Sequence, residues 1–240
     1  MLKSKTRWKL LEEPTKEYTT LMQELGVSSL VAKLLVARGW TTIEEVNHML
    51  HIEEQEFHDP FLLLGMQEAV QRIRQAIDRG EKIRIYGDYD CDGVTSTTLL
   101  MHVLDELGAQ YDYYIPDRFS EGYGLNERAL ELAKTEDIQL VITVDTGIAA
   151  REEVAYGTQL GLEFIITDHH EIPSELPDCV AVINPKQKEC TYPYSELAGV
   201  GIALKLAHAL LGRVPMELLD LAAVGTIADL VPLTGENRLI

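Results

Sequence analysis

The sequence predicts an α/β protein: a mainly parallel, doubly wound sheet with helices on both faces, preceded by a small helical N-terminal region. Three observations predict it. From about residue 82 onward, short apolar runs alternate with segments of helical period. Several of those runs end in Gly or Asp, as strands do at the open edge of a sheet. The first 60 residues show helical spacing and no strand alternation.

Taken in order, residues 1–60 form the helical region. Helical patterns run Thr15–Leu25 and Ser28–Arg38, and Gly39 stops the second. Thr41 and Thr42 precede IEEVNHML, where Glu44 or Glu45 completes a capping box. Trp8, Trp40 and Phe57 are expected packing anchors. Asp59-Pro60 breaks the pattern and separates a second domain, residues 61–240. Its first helix is Met66–Arg79, leading through Gly80 into a strand at Ile83–Tyr86. The helix that follows places Leu99, Leu100, Val103, Leu104 and Leu107 on one stripe. Further strands are expected at Tyr111–Ile115, Gln139–Val144, Leu162–Thr167 and Val180–Asn184. Further helices are expected at Asn126–Lys134, Ala149–Gly157, Val200–Leu211 and Pro215–Ala223. No closing element follows GENRLI, so a longer parent protein is expected.

Composition sets the bounds. With 46% hydrophobic and 25% charged residues, the chain is ordinary globular material. It has no apolar run of membrane length and no signal-peptide core, so no membrane role is expected. Its three cysteines show no CxxC spacing, which fits reduced thiols in the cytoplasm and excludes a zinc knuckle or disulfide framework. The net charge of −18, from 39 acids against 21 bases, argues by itself against a nucleic-acid partner. Bound divalent metals, or a basic groove elsewhere in the protein, would offset it.

The acids are not scattered. Asp88, Asp90 and Asp92 follow the first strand, and Asp145 ends QLVITV. Asp168, His169 and His170 end LEFIIT, and Asp229 stands in AAVGTIADLVPL. Parallel strands point their carboxyl ends the same way, so the strand-end groups emerge on one edge. Singly, an Asp-Gly pair is a turn and a His-His pair is a solvated loop. Together they make a metal site. Carboxylates with imidazole and no thiolate suit Mn²⁺, with Mg²⁺ the alternative, and a shared carboxylate suits two ions. Bases near the motifs are few: Arg84, Arg118, Lys186 and Lys205. Thr95 and Ser96 read as helix caps, and Tyr123 is a candidate stacking residue.

GDYDCDGVTS, VDTGI, TDHH and AAVGTIADLVPL resemble the four motifs of the DHH phosphoesterase superfamily. Within it, TRW, DPFLLLGMQEAVQRI, EGYG, VINPKQ, LAGVGIALKL and GENR resemble the RecJ-type single-strand-specific exonucleases. Cys91 departs from the alanine common there, and the second lobe and OB-type domain of such proteins are not within these 240 residues. The resemblance implies a metal-dependent 5′→3′ exonuclease that hydrolyses single-stranded DNA to 5′-mononucleotides in repair and recombination. It implies one ion on Asp90, Asp145, His169 and Asp229, and a second on Asp88 and Asp145 with Asp92 nearby. His170 is expected on the scissile phosphate, Asp168 behind an imidazole, and Arg118 and Asn184 on the substrate, Arg118 having an ion pair with Glu121 as its alternative. Implied partners are single-stranded DNA, the C-terminal lobe, and a helicase or single-strand-binding protein. Two other readings stay open. A DHH phosphodiesterase for short oligonucleotides or cyclic dinucleotides tends to carry histidine where this chain has Arg84. A non-catalytic DHH-fold binding module loses ligands, and none is lost here. The 240 residues alone are expected to bind Mn²⁺ and cleave DNA poorly.

Overall fold

The computed structural model describes residues 16–51 and 57–240; Trp8, the TRW segment and Thr15 lie outside the described residues. The chain divides into two compact units, Met1–Glu56 and Phe57–Ile240. In the first, α1 (Lys16–Leu25), α2 (Ser29–Ala37) and α3 (Ile43–Leu50) enclose Leu21, Ala32, Leu35 and Val46, with Trp40 packed against them. Ser28 caps α2 by accepting from the Val31 amide. Thr42 caps α3 in a complete capping box: its hydroxyl accepts from Glu45 N, and the Glu45 carboxylate accepts from the Thr42 amide, each at about 3 Å. Of the two glutamates that could close the box, Glu45 is the one used.

In the second unit, β1 (Lys82–Gly87), β2 (Gln110–Tyr114), β3 (Ile138–Val144), β4 (Glu163–Thr167) and β5 (Ala181–Ile183) form one sheet. Its order is β2-β1-β3-β4-β5 and every pairing is parallel. Side chains alternate between two cores, as strand geometry requires. On one face Ile83, Ile85, Leu140, Ile142 and Ile165 pack against α4 (Met66–Arg79), α5 (Cys91–Glu106), α8 (Gly199–Leu211) and α9 (Leu219–Ala228). On the other, Tyr86, Val141, Phe164 and Ile166 meet α6 (Glu127–Thr135) and α7 (Arg151–Gln159). Phe57 packs on the first core, as expected of an anchor. Each fully buried aliphatic side chain stabilises the sheet by about 1.5–3 kcal/mol.

The sequence pattern misplaced one helix. Pro215–Ala223 was expected; a 3-10 turn, Met216–Leu218, comes first, and α9 then runs on to Ala228. Gly225 lies within α9, where a Cβ would stand 2.3 Å from Thr95 Oγ1, so it marks close packing of α9 on α5. No helix among the described residues is long and apolar enough to cross a membrane. The chain leaves β1 toward β2 on one side and returns to β3 on the other. The crevice beyond the carboxyl ends of β1 and β3 is therefore the switch point of the sheet, where open α/β folds bind their ligands.

Candidate metal centre

Asp88 leaves β1 buried, and Asp90 caps α5 by accepting from the Gly93 amide at 3.0 Å. Asp90 thus does the capping that the sequence assigned to Thr95 and Ser96. Thr95 instead turns its hydroxyl back onto the Cys91 carbonyl at 2.8 Å. Asp145 follows β3 at φ +58°, a strained conformation for a residue with a Cβ. His169 and His170 follow β4, and Asp229 caps the carboxyl end of α9.

Among the described residues, three groups place ligand atoms within 4.8 Å of one another: Asp88/Asp90/Asp145, Asp92/His169/Asp229 and Asp145/His169/His170. His169 Nε2 lies 3.1 Å from Asp145 Oδ1, 3.7 Å from Asp229 Oδ2 and 3.8 Å from Asp92 Oδ2. Asp145 joins two of the groups, as a shared carboxylate would. Asp90, expected beside His169, groups instead with Asp88 and Asp145.

Asp92 does more than the sequence reading gave it. Its two oxygens accept from Gly199 N at 2.7 Å and Val200 N at 2.8 Å, so it also caps the amino end of α8. Gly199 must be glycine: a Cβ would lie 2.6 Å from that of Asp145. Burial pushes the Asp92 carboxyl up to about 6, although the amides and His169 oppose it. Burial, reinforced by the carboxylates of Asp92, Asp90 and Asp168, pushes Asp145 up to about 10. Burial also raises Asp88.

Whether this site suits a divalent ion can be tested on its own atoms. Asp145 Oδ1 and His169 Nε2 are both buried, face each other, and have no hydrogen-bond partner. A buried polar atom left so costs about 1–3 kcal/mol. A cation accepting both lone pairs would remove that cost and ease the carboxylate repulsion that adds to burial at Asp145. The donor set, carboxylate oxygen with imidazole nitrogen and no thiolate, suits a borderline divalent ion such as Mn²⁺, so the residues fit.

His170 has a different setting. Asp168 Oδ1 lies 2.7 Å from its Nδ1 and also accepts from its amide, while Oδ2 accepts from Ile148 N. Burial opposes charge on Asp168, but these bonds more than offset it and hold its carboxyl below the usual range. The Asp168 bond, against the pull of burial, in turn raises His170 to about 9. Asp168 therefore orients His170.

The expected substrate contacts fare unevenly. Asn184 is wholly buried, its amide spent on His170 O at 2.9 Å and Lys186 N at 2.9 Å; it braces the His-His loop and has no group left for a substrate. Arg84 is buried against Asp112 and Glu136, and Lys205 against Glu236, so neither grips a strand. Lys186 pairs with Glu171. Arg118 forms no pair with Glu121, whose carboxylate is taken by Tyr114 Oη and the Asp117 amide. Its guanidinium lies 5.2 Å from the centre of the Tyr89 ring. Tyr89 meets Tyr123 edge-on at 6.4 Å, and Tyr123 meets His170 at 6.1 Å. This line of rings was not evident in the sequence. The signal was Tyr89 itself, standing between two candidate ligands. Beside it, Tyr123, Leu125, Thr146, Ile148 and His170 line a cleft of about 360 Å³.

A parallel sheet with carboxylates and imidazoles gathered at its switch point is a setting suited to divalent ions. Residues 82–226 match the family model "DHH family, N-terminal domain", and the chain belongs to that family. It is 58% identical over its full length to the single-stranded-DNA-specific exonuclease RecJ of Bacillus subtilis, covering 30% of that protein. It is 39% identical to the RecJ of Escherichia coli over 88% of this chain and 39% of that one. A Mn²⁺ complex of RecJ from Thermus thermophilus superposes on 97% of this chain and 33% of that chain, with TM-score 0.76 and 33% identity. The chain thus spans about a third of the length of these relatives.

Proposed function

We propose that this chain is the metal-binding part of a 5′→3′ exonuclease that hydrolyses single-stranded DNA to 5′-mononucleotides in DNA repair and recombination. The observation that carries the reading is the facing pair of unpartnered buried atoms, Asp145 Oδ1 and His169 Nε2, at the meeting of two ligand groups. In this reading Asp88, Asp90 and Asp145 hold one ion, and Asp145, His169 and Asp229 hold the other, with Asp92 beside them. Mn²⁺ is the expected metal. Bound there, the ions supply a water of lowered pKa and positive charge opposite the phosphate. His170, oriented by Asp168, presents Nε2 to a phosphate oxygen. Arg118 draws the backbone in, and Tyr89 and Tyr123 offer faces on which bases stack without regard to sequence. The nucleoside of the terminal residue occupies the cleft beside Tyr123. The rest of the grip comes from the remainder of the protein, and a helicase or single-strand-binding protein presents the strand in the cytoplasm.

Two substitutions test the roles. His169→Ala is expected to weaken Mn²⁺ binding, read by calorimetry. His170→Ala is expected to bind Mn²⁺ normally but to slow hydrolysis of 5′-phosphorylated single strands, assayed with the remainder of the protein supplied, by about 10²-fold or more. The reverse pattern would exchange their roles. Normal metal binding and normal hydrolysis in both variants would sink the reading.

A further inference from the structure

Asp229 is the acid of the metal groups that no strand end positions. The chain leaves it through Leu230 at φ +61°, a left-handed conformation that a residue with a Cβ keeps only where its surroundings impose it. Packing of Leu230 itself does not impose it, because that side chain is 88% exposed. Leu230 directly follows the α9 cap, where helices commonly turn left-handed, and the segment after it is tied down at several points. The Pro232 carbonyl accepts from Tyr194 Oη at 3.1 Å and from Asn237 Nδ2 at 3.0 Å. Asn237 Nδ2 also donates to Glu196 O at 2.5 Å. One residue earlier, the buried Glu236 carboxylate accepts from Lys205 Nζ at 2.9 Å, His58 N at 2.9 Å and Tyr192 Oη. Lys205, equally buried, donates as well to His58 O at 2.6 Å.

The gripping residues Tyr192, Tyr194 and Glu196 belong to the segment that ends in Gly199 and Val200, whose amides hold Asp92. One stretch of chain therefore secures Asp92 at one end and the loop after Asp229 at the other. Asp92 and Asp229 share a ligand group with His169; Asp88 and Asp90 belong to another.

We propose that the 3-10 turn Gly235–Arg238 is a strap that fixes the Asp229 carboxylate at its ion, with Asn237 and Glu236 as positioning residues. The strap rests on the reading of Asp229 as a ligand. It predicts that loosening residues remote from the ion weakens one Mn²⁺ position and spares the other.

Calorimetric Mn²⁺ titration of the 240-residue chain, with a thermal melt of each variant, tests this. Asp229→Ala should lose one binding event. Asn237→Ala should weaken that same event about tenfold, as removal of groups behind a ligand typically does, and leave the other unchanged. Tyr194→Phe, a milder change at a half-buried ring, should weaken it in the same selective way but less. Adding Leu230→Gly to Asn237→Ala should recover part of the affinity, because glycine holds the left-handed conformation without strain. Wild-type titrations in both Asn237→Ala and Tyr194→Phe would overturn the strap, as would equal weakening of both events. If Asp229→Ala kept both events, the ligand reading would fail first and the strap with it.

Discussion

The two edges of one sheet treat charge in opposite ways. Toward the amino ends of the strands, Glu81 and Glu163 share the buried Arg72, and Asp112 and Glu136 share the buried Arg84. Lys82 adds a second contact to Asp112 at 3.1 Å. At the carboxyl ends, among the described residues, no lysine or arginine forms an ion pair with Asp88, Asp90, Asp145 or Asp229. Strand β1 carries both habits, with Lys82 and Arg84 along its length and Asp88 just beyond its end. Where the acids serve the fold, the chain supplies its own cations. At the proposed site it withholds them, and an ion from solution would settle the repulsion.

The comparison can be broken most decisively at Asp145. Asp145→Ala is expected to abolish both Mn²⁺ binding events, a change of several kcal/mol in metal affinity. Unchanged stoichiometry on calorimetry would remove the shared carboxylate from the account. At the other edge, Arg84→Met leaves Asp112 with Lys82 alone and Glu136 without its cation. Breaking a buried pair costs about 3–5 kcal/mol. Because Glu136 is 42% exposed, water screens part of the loss and about 2–3 kcal/mol is expected in urea unfolding, with Mn²⁺ affinity unchanged. An Arg84→Met protein with altered Mn²⁺ affinity would show that the edges are not independent.

Removing charge from the metal edge should have the opposite sign. In chelator, Asp88→Asn/Asp90→Asn is expected to melt higher than the wild type, by a few degrees or about 1 kcal/mol, since neutral amides do not repel Asp145. Mn²⁺ should raise the melting temperature of the wild type but much less that of the double variant. A double variant that melts with the wild type in chelator would count against crowding. The smallest effect is in acid. Burial would raise the Asp112 carboxyl, but its bonds to Arg84 and Lys82 more than offset that and hold it below its ordinary value. Its stabilisation is therefore present above the unfolded carboxylate range, near pH 4, and is lost as pH falls through the lower folded value. Between about pH 4 and 2 the wild type should lose a fraction of a kcal/mol that Arg84→Met does not lose, in parallel urea titrations.

Much of this was readable in the sequence because it is local. Short apolar runs alternating with helical patterns placed all five strands to within two residues. Convergence of the acids followed from parallel strands sharing a direction. What escaped was set by contacts remote in sequence. Nothing near Asp92 announces that its oxygens cap a helix beginning at Gly199. Lys205 sits in an apolar helix pattern as a charge that reads as exposed, whereas it is buried only because Glu236 meets it from a turn beyond α9. Asn184 read as a polar group free for substrate, yet it is enclosed by the very loop it braces. Arg118, expected on the substrate with an ion pair to Glu121 as its alternative, lies over Tyr89, and Glu121 is taken by other partners.

The position of Asp229 beyond α8 and α9 also bears on how the protein is made. A chain emerging from the ribosome presents Asp88 through His170 before Gly199 and Val200 exist to cap Asp92, and before Asp229 is joined. In the proposed ligand arrangement, such a chain owns both imidazoles and every carboxylate of the ligand groups except Asp229, but not the geometry for tight capture. Ion uptake is then a late event in biogenesis, a stamp on the finished domain and not a seed for its folding. A nascent chain stalled ahead of α8 should accordingly hold Mn²⁺ loosely, while one released past Arg238 should hold it firmly.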